Sequence, residues 1–152
     1  MRKTFAAAVA LQLGLTGCSC LQACLSGAPP FEPKNPKVYV IESKDGKKAV
    51  VVDQDPIYFF RDYGSKIQIG WQLQTKGYRF DQKVGITDIQ RLSGASGQVH
   101  SCRVDPDSKE QTTFVCINEN TASAVYKYTI NVVATTEGSA NPRPLDPTIM
   151  ND

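Results

Sequence analysis

The side chains best able to do chemistry here are five cysteines, at positions 18, 20, 24, 102 and 116, and a single histidine, His100. The Cys-x-x-Cys spacing of redox motifs is absent. Cys102 and Cys116 flank a polar turn at 105–111. If the two flanking segments pair as a hairpin centred on Lys109, residue 102 stands opposite 116 and Val104 opposite Phe114, so a structural disulfide is expected there. Closing a loop of 15 residues, it would contribute about 3 kcal/mol by the chain-entropy argument. On a regular strand His100 would share a face with Cys102 at roughly 7 Å, beyond hydrogen-bond reach, so no catalytic pair is expected. Asp53/Asp55 and Asp105/Asp107 have the i, i+2 spacing of paired carboxylates, but each adjoins a proline and reads as turn chemistry. Neither pair offers the oxygen series that calcium requires, and one histidine is too few for a zinc site. Ser93-Gly94-Ala95-Ser96-Gly97 lacks the Gly-x-Ser-x-Gly spacing of a nucleophile elbow, and no glycine-rich phosphate loop is present. The expectation is a protein with no catalytic residues, no metal and no cofactor.

Recognition chemistry is better represented. In Ile57-Tyr58-Phe59-Phe60-Arg61-Asp62-Tyr63 a strand can bury only alternate side chains, so Ile57 and Phe59 compete with Tyr58 and Phe60 for the core. The losing set lies outside or beneath another layer. Tyr58, Phe60, Arg61 and Tyr63 are therefore the candidate partner-binding residues, since exposed aromatics beside arginine are the usual anchors of protein interfaces.

The elements that must position these residues are strands. In the segment 66–74 every odd position is apolar, which predicts a strand burying Ile67, Ile69, Trp71 and Leu73 against a wet glutamine face. Segment 126–132 repeats the pattern with Tyr126, Tyr128, Ile130 and Val132 inward and reads as the final strand. Shorter strands are expected at 38–42, 49–52, 57–60, 87–92, 99–104 and 112–117, separated by Gly, Pro, Asp and Ser turns. Seven or eight strands at intervals of about ten residues predict an all-β, antiparallel β-sandwich over 37–134 with Trp71 at its centre. The central Trp and late Tyr-rich strand resemble the Ig-like sandwiches, a likeness of architecture that carries no function. Gly138, Pro142, Pro144 and Pro147 make 135–152 read as a C-terminal tail, because proline has no N–H to give a ladder.

The N-terminal region has a different character. Arg2-Lys3 precedes an apolar run over 5–15 that is too short to span a bilayer and reads as a secretory leader. Leu15-Thr16-Gly17-Cys18 resembles a bacterial lipobox. The resemblance covers the first eighteen residues and implies cleavage of 1–17, lipidation of Cys18 and, with Ser19 after the anchor, an outer-membrane lipoprotein facing the periplasm. Leu21-Gln22-Ala23-Cys24 is a poorer second match, because Gln22 is large and polar where the motif holds a small or β-branched residue. Residues 18–36, with Pro29, Pro30, Pro33 and Pro36, read as a tether reaching at most roughly 60 Å. Export favours oxidation of the remaining thiols, while the sequence leaves open whether Cys20 and Cys24 pair together, pair between molecules or stay reduced.

Removing Arg2 and Lys3 from the 17 basic residues leaves 15, equal to the 15 acidic ones. Without net charge or a basic cluster, nucleic acid is excluded as a partner class. The leading expectation is a non-catalytic, lipid-anchored protein whose sandwich binds a protein or envelope component. The alternatives are an inhibitor or immunity lipoprotein acting on a cell-wall hydrolase, and a structural lipoprotein of a secretion assembly. For the inhibitor, Ser93-Gly94-Ala95-Ser96-Gly97 resembles the Ser-Gly-rich loop of membrane-bound lysozyme inhibitors. Gln98-Val99-His100 stands where that family has a tyrosine, and the cysteine placement differs, so no residue carries over.

Overall fold

The computed structural model describes residues 32–152. The expected leader, Cys18, Cys20, Cys24 and most of the expected tether lie outside the described residues. Glu32–Asp152 forms one compact unit, and it is all-β. Its strands are β1 (Lys37–Glu42), β2 (Lys48–Val52), β3 (Ile57–Phe59), β4 (Ile67–Leu73), β5 (Tyr78–Phe80), β6 (Ile86–Gly94), β7 (Val99–Val104), β8 (Thr113–Asn118), β9 (Ala124–Ile130), β10 (Val132–Ala134) and β11 (Thr148–Asn151). A single 3-10 turn, Arg61–Tyr63, is the one helical element among the described residues, and none of their helices is long and apolar enough to cross a membrane.

Two main sheets form the sandwich. One has the order β2-β1-β4-β8-β7, the other β3-β11-β9-β6, and β10-β5 make a small third sheet. Pairing is antiparallel except for β1 with β4 and β3 with β11, which run parallel. Period-two burial makes the layers. Ile67, Ile69, Trp71 and Leu73 of β4 are buried, as are Tyr126, Tyr128 and Ile130 of β9 and Val132 of β10, so each strand turns one side inward. The layers meet where the Trp71 and Tyr128 rings lie 5.3 Å apart and the Trp71 indole N–H donates to the Tyr128 hydroxyl at 3.1 Å. Burial pushes the Tyr128 hydroxyl pKa well up, so it stays neutral. Phe80 and Phe114 pack at 5.7 Å near the small sheet.

Eleven strands replace the seven or eight expected, and the domain is wider than 37–134. At the N-terminal side, Pro33 and Pro36 are buried. Lys34 and Pro36 carbonyls accept the Gly70 and Gln72 N–H groups at 2.7 and 2.9 Å, so 32–36 is part of the fold rather than the end of a tether. At the C-terminal side, the expected tail is sheet. Pro142, Pro144 and Pro147 donate nothing, but the residues between and after them do. Arg143 N–H donates to Lys48 O at 2.8 Å, Arg143 O accepts Val50 N–H at 3.0 Å, and Pro147 O accepts Tyr128 N–H at 3.0 Å. Proline removes a donor and leaves an acceptor. The segment 148–151 then becomes β11, between β3 and β9, with Ile149 fully buried. Segment 126–132 is therefore not the final strand.

The sulfurs of Cys102 and Cys116 lie at bonding distance, 2.04 Å. Val104 pairs with Phe114 as the hairpin register requires, but the ladder is interrupted between His100 and Arg103, where Ser101 adopts φ 55°. This bulge breaks the regular alternation on which the placement of His100 beside Cys102 depended.

Candidate functional site

Strand β3 settles the competition for burial in the aromatic segment. Ile57 and Phe59 are fully buried, and alternation puts Tyr58, half-buried, on the outer side. The chain leaves the sheet at Phe60 and makes the 3-10 turn, with Tyr63 N–H donating to Phe60 O at 3.1 Å and Gly64 N–H to Arg61 O at 3.0 Å. Gly64 ends the turn at φ 84°, a region that side chains rarely enter. The turn therefore presents Phe60, Arg61 and Tyr63 outward.

The three aromatics form one cluster. Tyr58 and Phe60 centroids are 5.0 Å apart, and Phe60 meets Tyr63 edge-on at 5.7 Å. Phe60 is 46% and Tyr63 37% exposed, so the rings contact one another while still facing solvent. The register extends the patch across the sheet, because Tyr58 stands beside Met150 and Met150 beside Val125. All three are half-buried on the outer face.

The polar frame behind the patch fixes it. The Asn120 side-chain amide donates to Phe60 O and Gly64 O, each at 2.9 Å, clamping both ends of the turn. Asn120 N–H donates to the Asn118 side chain at 3.2 Å. Asn118 and Asn151 exchange amide hydrogen bonds at 2.8 and 2.9 Å inside the protein. The C-terminal residue closes the other side, with Asp152 N–H donating to Phe59 O at 3.0 Å and Arg61 Nε to Asp152 O at 3.0 Å. The Arg61 Nη groups make no hydrogen bond or ion pair among the described residues. An aromatic cluster beside a guanidinium is suited to non-covalent recognition, and the main chain that carries it is already held by hydrogen bonds. The sequence marked the aromatics but missed the three asparagines. Two of them, Asn118 and Asn120, fall in the Asn118-Glu119-Asn120 stretch at the end of β8 and the third, Asn151, lies in β11; their side-chain partners lie 33 to 60 positions away.

His100 has different neighbours from those expected. Its Nδ1 is 2.8 Å from the Ser101 hydroxyl and its Nε2 is 2.9 Å from Glu119 Oε1. His100 and Ser101 lie on the edge strand β7 and Glu119 just after β8, and three surface clefts among the described residues are lined by other residues. Of the acidic pairs, Asp53 accepts Lys37 N–H at 2.8 Å, Asp55 accepts Thr148 N–H at 2.9 Å and Asp105 accepts Asp107 N–H at 3.0 Å. The first two tie separate backbone segments together and the third closes a local turn. Among the described residues no group of three His, Cys, Asp or Glu side chains is placed to hold a metal ion. The loop 93–97 that resembles the inhibitor loop is held by Tyr126, whose hydroxyl donates to Ala95 O at 2.6 Å and accepts Gln98 N–H at 3.1 Å.

No protein-family model matches the chain, and no curated protein matches it.

Proposed function

We propose that this is a non-catalytic lipoprotein, anchored through Cys18 to the outer membrane, whose β-sandwich binds a protein partner in the periplasm through Tyr58, Phe60, Arg61 and Tyr63. The observation that carries the binding half is the aromatic cluster itself. Three rings in mutual contact remain solvent-facing on a turn clamped by Asn120 and the C-terminus. Burying Phe60 alone from its present exposure would stabilise a complex by roughly 1 kcal/mol or more, and arginine adds a directional contact to a carboxylate. The anchoring half is supported by the order of basic residues, apolar run, small residues and cysteine in the first eighteen positions.

The two halves are tested with the full chain in its native envelope. Cys18→Ala is expected to move the protein from the membrane to the soluble fraction; retention in the membrane overturns the anchor. With Cys18 intact, cross-linking in the envelope is expected to yield a discrete adduct that Tyr58→Ser with Phe60→Ser reduces at least about tenfold. Equal adduct from both forms, with unchanged thermal unfolding, overturns the patch as the binding site.

A further inference from the structure

The bulge on edge strand β7 gathers three polar side chains that the aromatic patch does not use. Between the pairs His100–Ile117 and Arg103–Val115, two residues, Ser101 and Cys102, stand opposite the single residue Cys116. The extra residue re-aims the strand and holds Ser101 at φ 55°, a left-handed conformation that residues other than glycine seldom keep without support. Support comes from the next position, where the Cys102–Cys116 disulfide ties the bulge to β8. His100, one position before, keeps its ladder pairing with Ile117. An exposed serine is thereby fixed beside an imidazole.

The hydrogen bonds have a direction. Glu119 Oε1 lies 2.9 Å from His100 Nε2, and a carboxylate can only accept, so Nε2 carries the proton. In the neutral ring Nδ1 then presents a lone pair, to which the Ser101 hydroxyl donates at 2.8 Å. Glu119 is itself held through its main chain, its N–H donating to Gln98 O at 2.7 Å and its O accepting Lys66 N–H at 3.2 Å. A hydroxyl bonded to a base, with the base oriented by a carboxylate, is the arrangement that raises the nucleophilicity of serine. Arg103 Nη1 donates to Ser101 O at 3.4 Å, which brings a cation to the residue where an oxyanion would develop. The surface is open, with the His100 side chain 43% exposed and three surface clefts among the described residues lined elsewhere. With no cleft there to grip an acyl chain, the driving force must come from the donor's leaving group.

We infer that Ser101 is a nucleophilic serine that takes an acyl group from a small activated ester. Ser101 Oγ bonds to the ester carbonyl carbon as His100 Nδ1 takes the hydroxyl proton. The bond from that carbon to the leaving oxygen breaks, and the proton passes to the departing alkoxide, giving an acyl-serine and an alcohol. The serine is consumed, so this is a modification site that adds no turnover to the proposed binding role and is independent of the aromatic patch.

The test treats the full chain with p-nitrophenyl acetate and locates acetyl groups by peptide mass spectrometry over time. Ser43 is the internal reference: it is exposed, its hydroxyl donates to the Asp45 carboxylate without a histidine, and it lies in the β1-β2 turn, at the opposite edge of the sheet from β7. Ser101 is expected to acetylate about a hundredfold faster than Ser43, the low end of what a positioned base supplies. His100→Gln is expected to abolish that advantage and Glu119→Gln to reduce it about tenfold, with thermal unfolding unchanged in both. If a variant fails to fold, the rates at Ser101 and Ser43 in the unaltered chain still decide. Equal rates at the two serines, an unchanged Ser101 rate in folded His100→Gln, or acetyl accumulating on the His100 ring instead of Ser101 overturns the inference.

Discussion

Trp71 Nε1–H is buried with one acceptor, the hydroxyl of Tyr128 on the opposite sheet. Tyr128→Phe removes the acceptor while keeping the ring, so the indole N–H is left unpaired in the core. The expected cost is about 1–3 kcal/mol, read as a lower urea midpoint with unchanged denaturant slope. An unchanged midpoint would mean that the indole finds water instead. The same reasoning explains why Asn118 and Asn151 are tolerated inside: each amide satisfies the other. It also separates the aromatic residues by role. Phe59 is fully buried, whereas Phe60, one position on, is nearly half exposed.

At the scale of elements, short strands and tight turns leave little room for added volume. Gly85 immediately precedes β6, and a Cβ there would stand 2.5 Å from the Phe114 ring and 2.8 Å from Asp81 O. Asp81 belongs to a fixed turn, its carboxylate accepting Lys83 and Val84 N–H at 2.9 and 3.0 Å, and those bonds hold its pKa below the usual range. Neither neighbour is placed to give way cheaply. Gly85→Ala is expected to destabilise the protein by about 1–3 kcal/mol, measured by thermal or urea unfolding. A neutral outcome would show that β5 and β8 separate more easily than their packing implies. Edge strands β6 and β7 both carry register shifts, which interrupt the regular ladder another strand would need to pair with them.

For the whole molecule, the disulfide joins strands β7 and β8 of one sheet, and Cys116 is fully buried. Replacing Cys102 and Cys116 together by Ala is expected to lower the unfolding free energy by about 3 kcal/mol, chiefly by freeing the unfolded chain. The check is urea unfolding of the two proteins under oxidising conditions, and coincident curves would contradict it. That figure is a large share of the stability of a domain of this size. The C-terminal strand has a comparable standing in the architecture. It separates β3 from β9 in the four-stranded sheet, and Asp152, the residue after it, accepts a hydrogen bond from Arg61, so the aromatic patch is held in part by this segment.

The residues alone determined that the domain is a sheet sandwich, which side of β4 and β9 faces inward, that Trp71 is central and that Cys102 stands near Cys116. These properties are local: period-two alternation and hairpin register are read over fewer than twenty consecutive positions. Tertiary structure decided the rest. Whether Tyr58 and Phe60 or Ile57 and Phe59 turned outward depended on which side of β3 met the opposite sheet. Incorporation of 148–151 depended on acceptors offered by β9 and β3, strands distant along the chain. The bulge at Ser101 and the asparagine clamp on the aromatic turn were likewise beyond local reading. Proline's missing donor is visible in a sequence, whereas the partner that makes its remaining carbonyl useful is chosen only when distant strands come together.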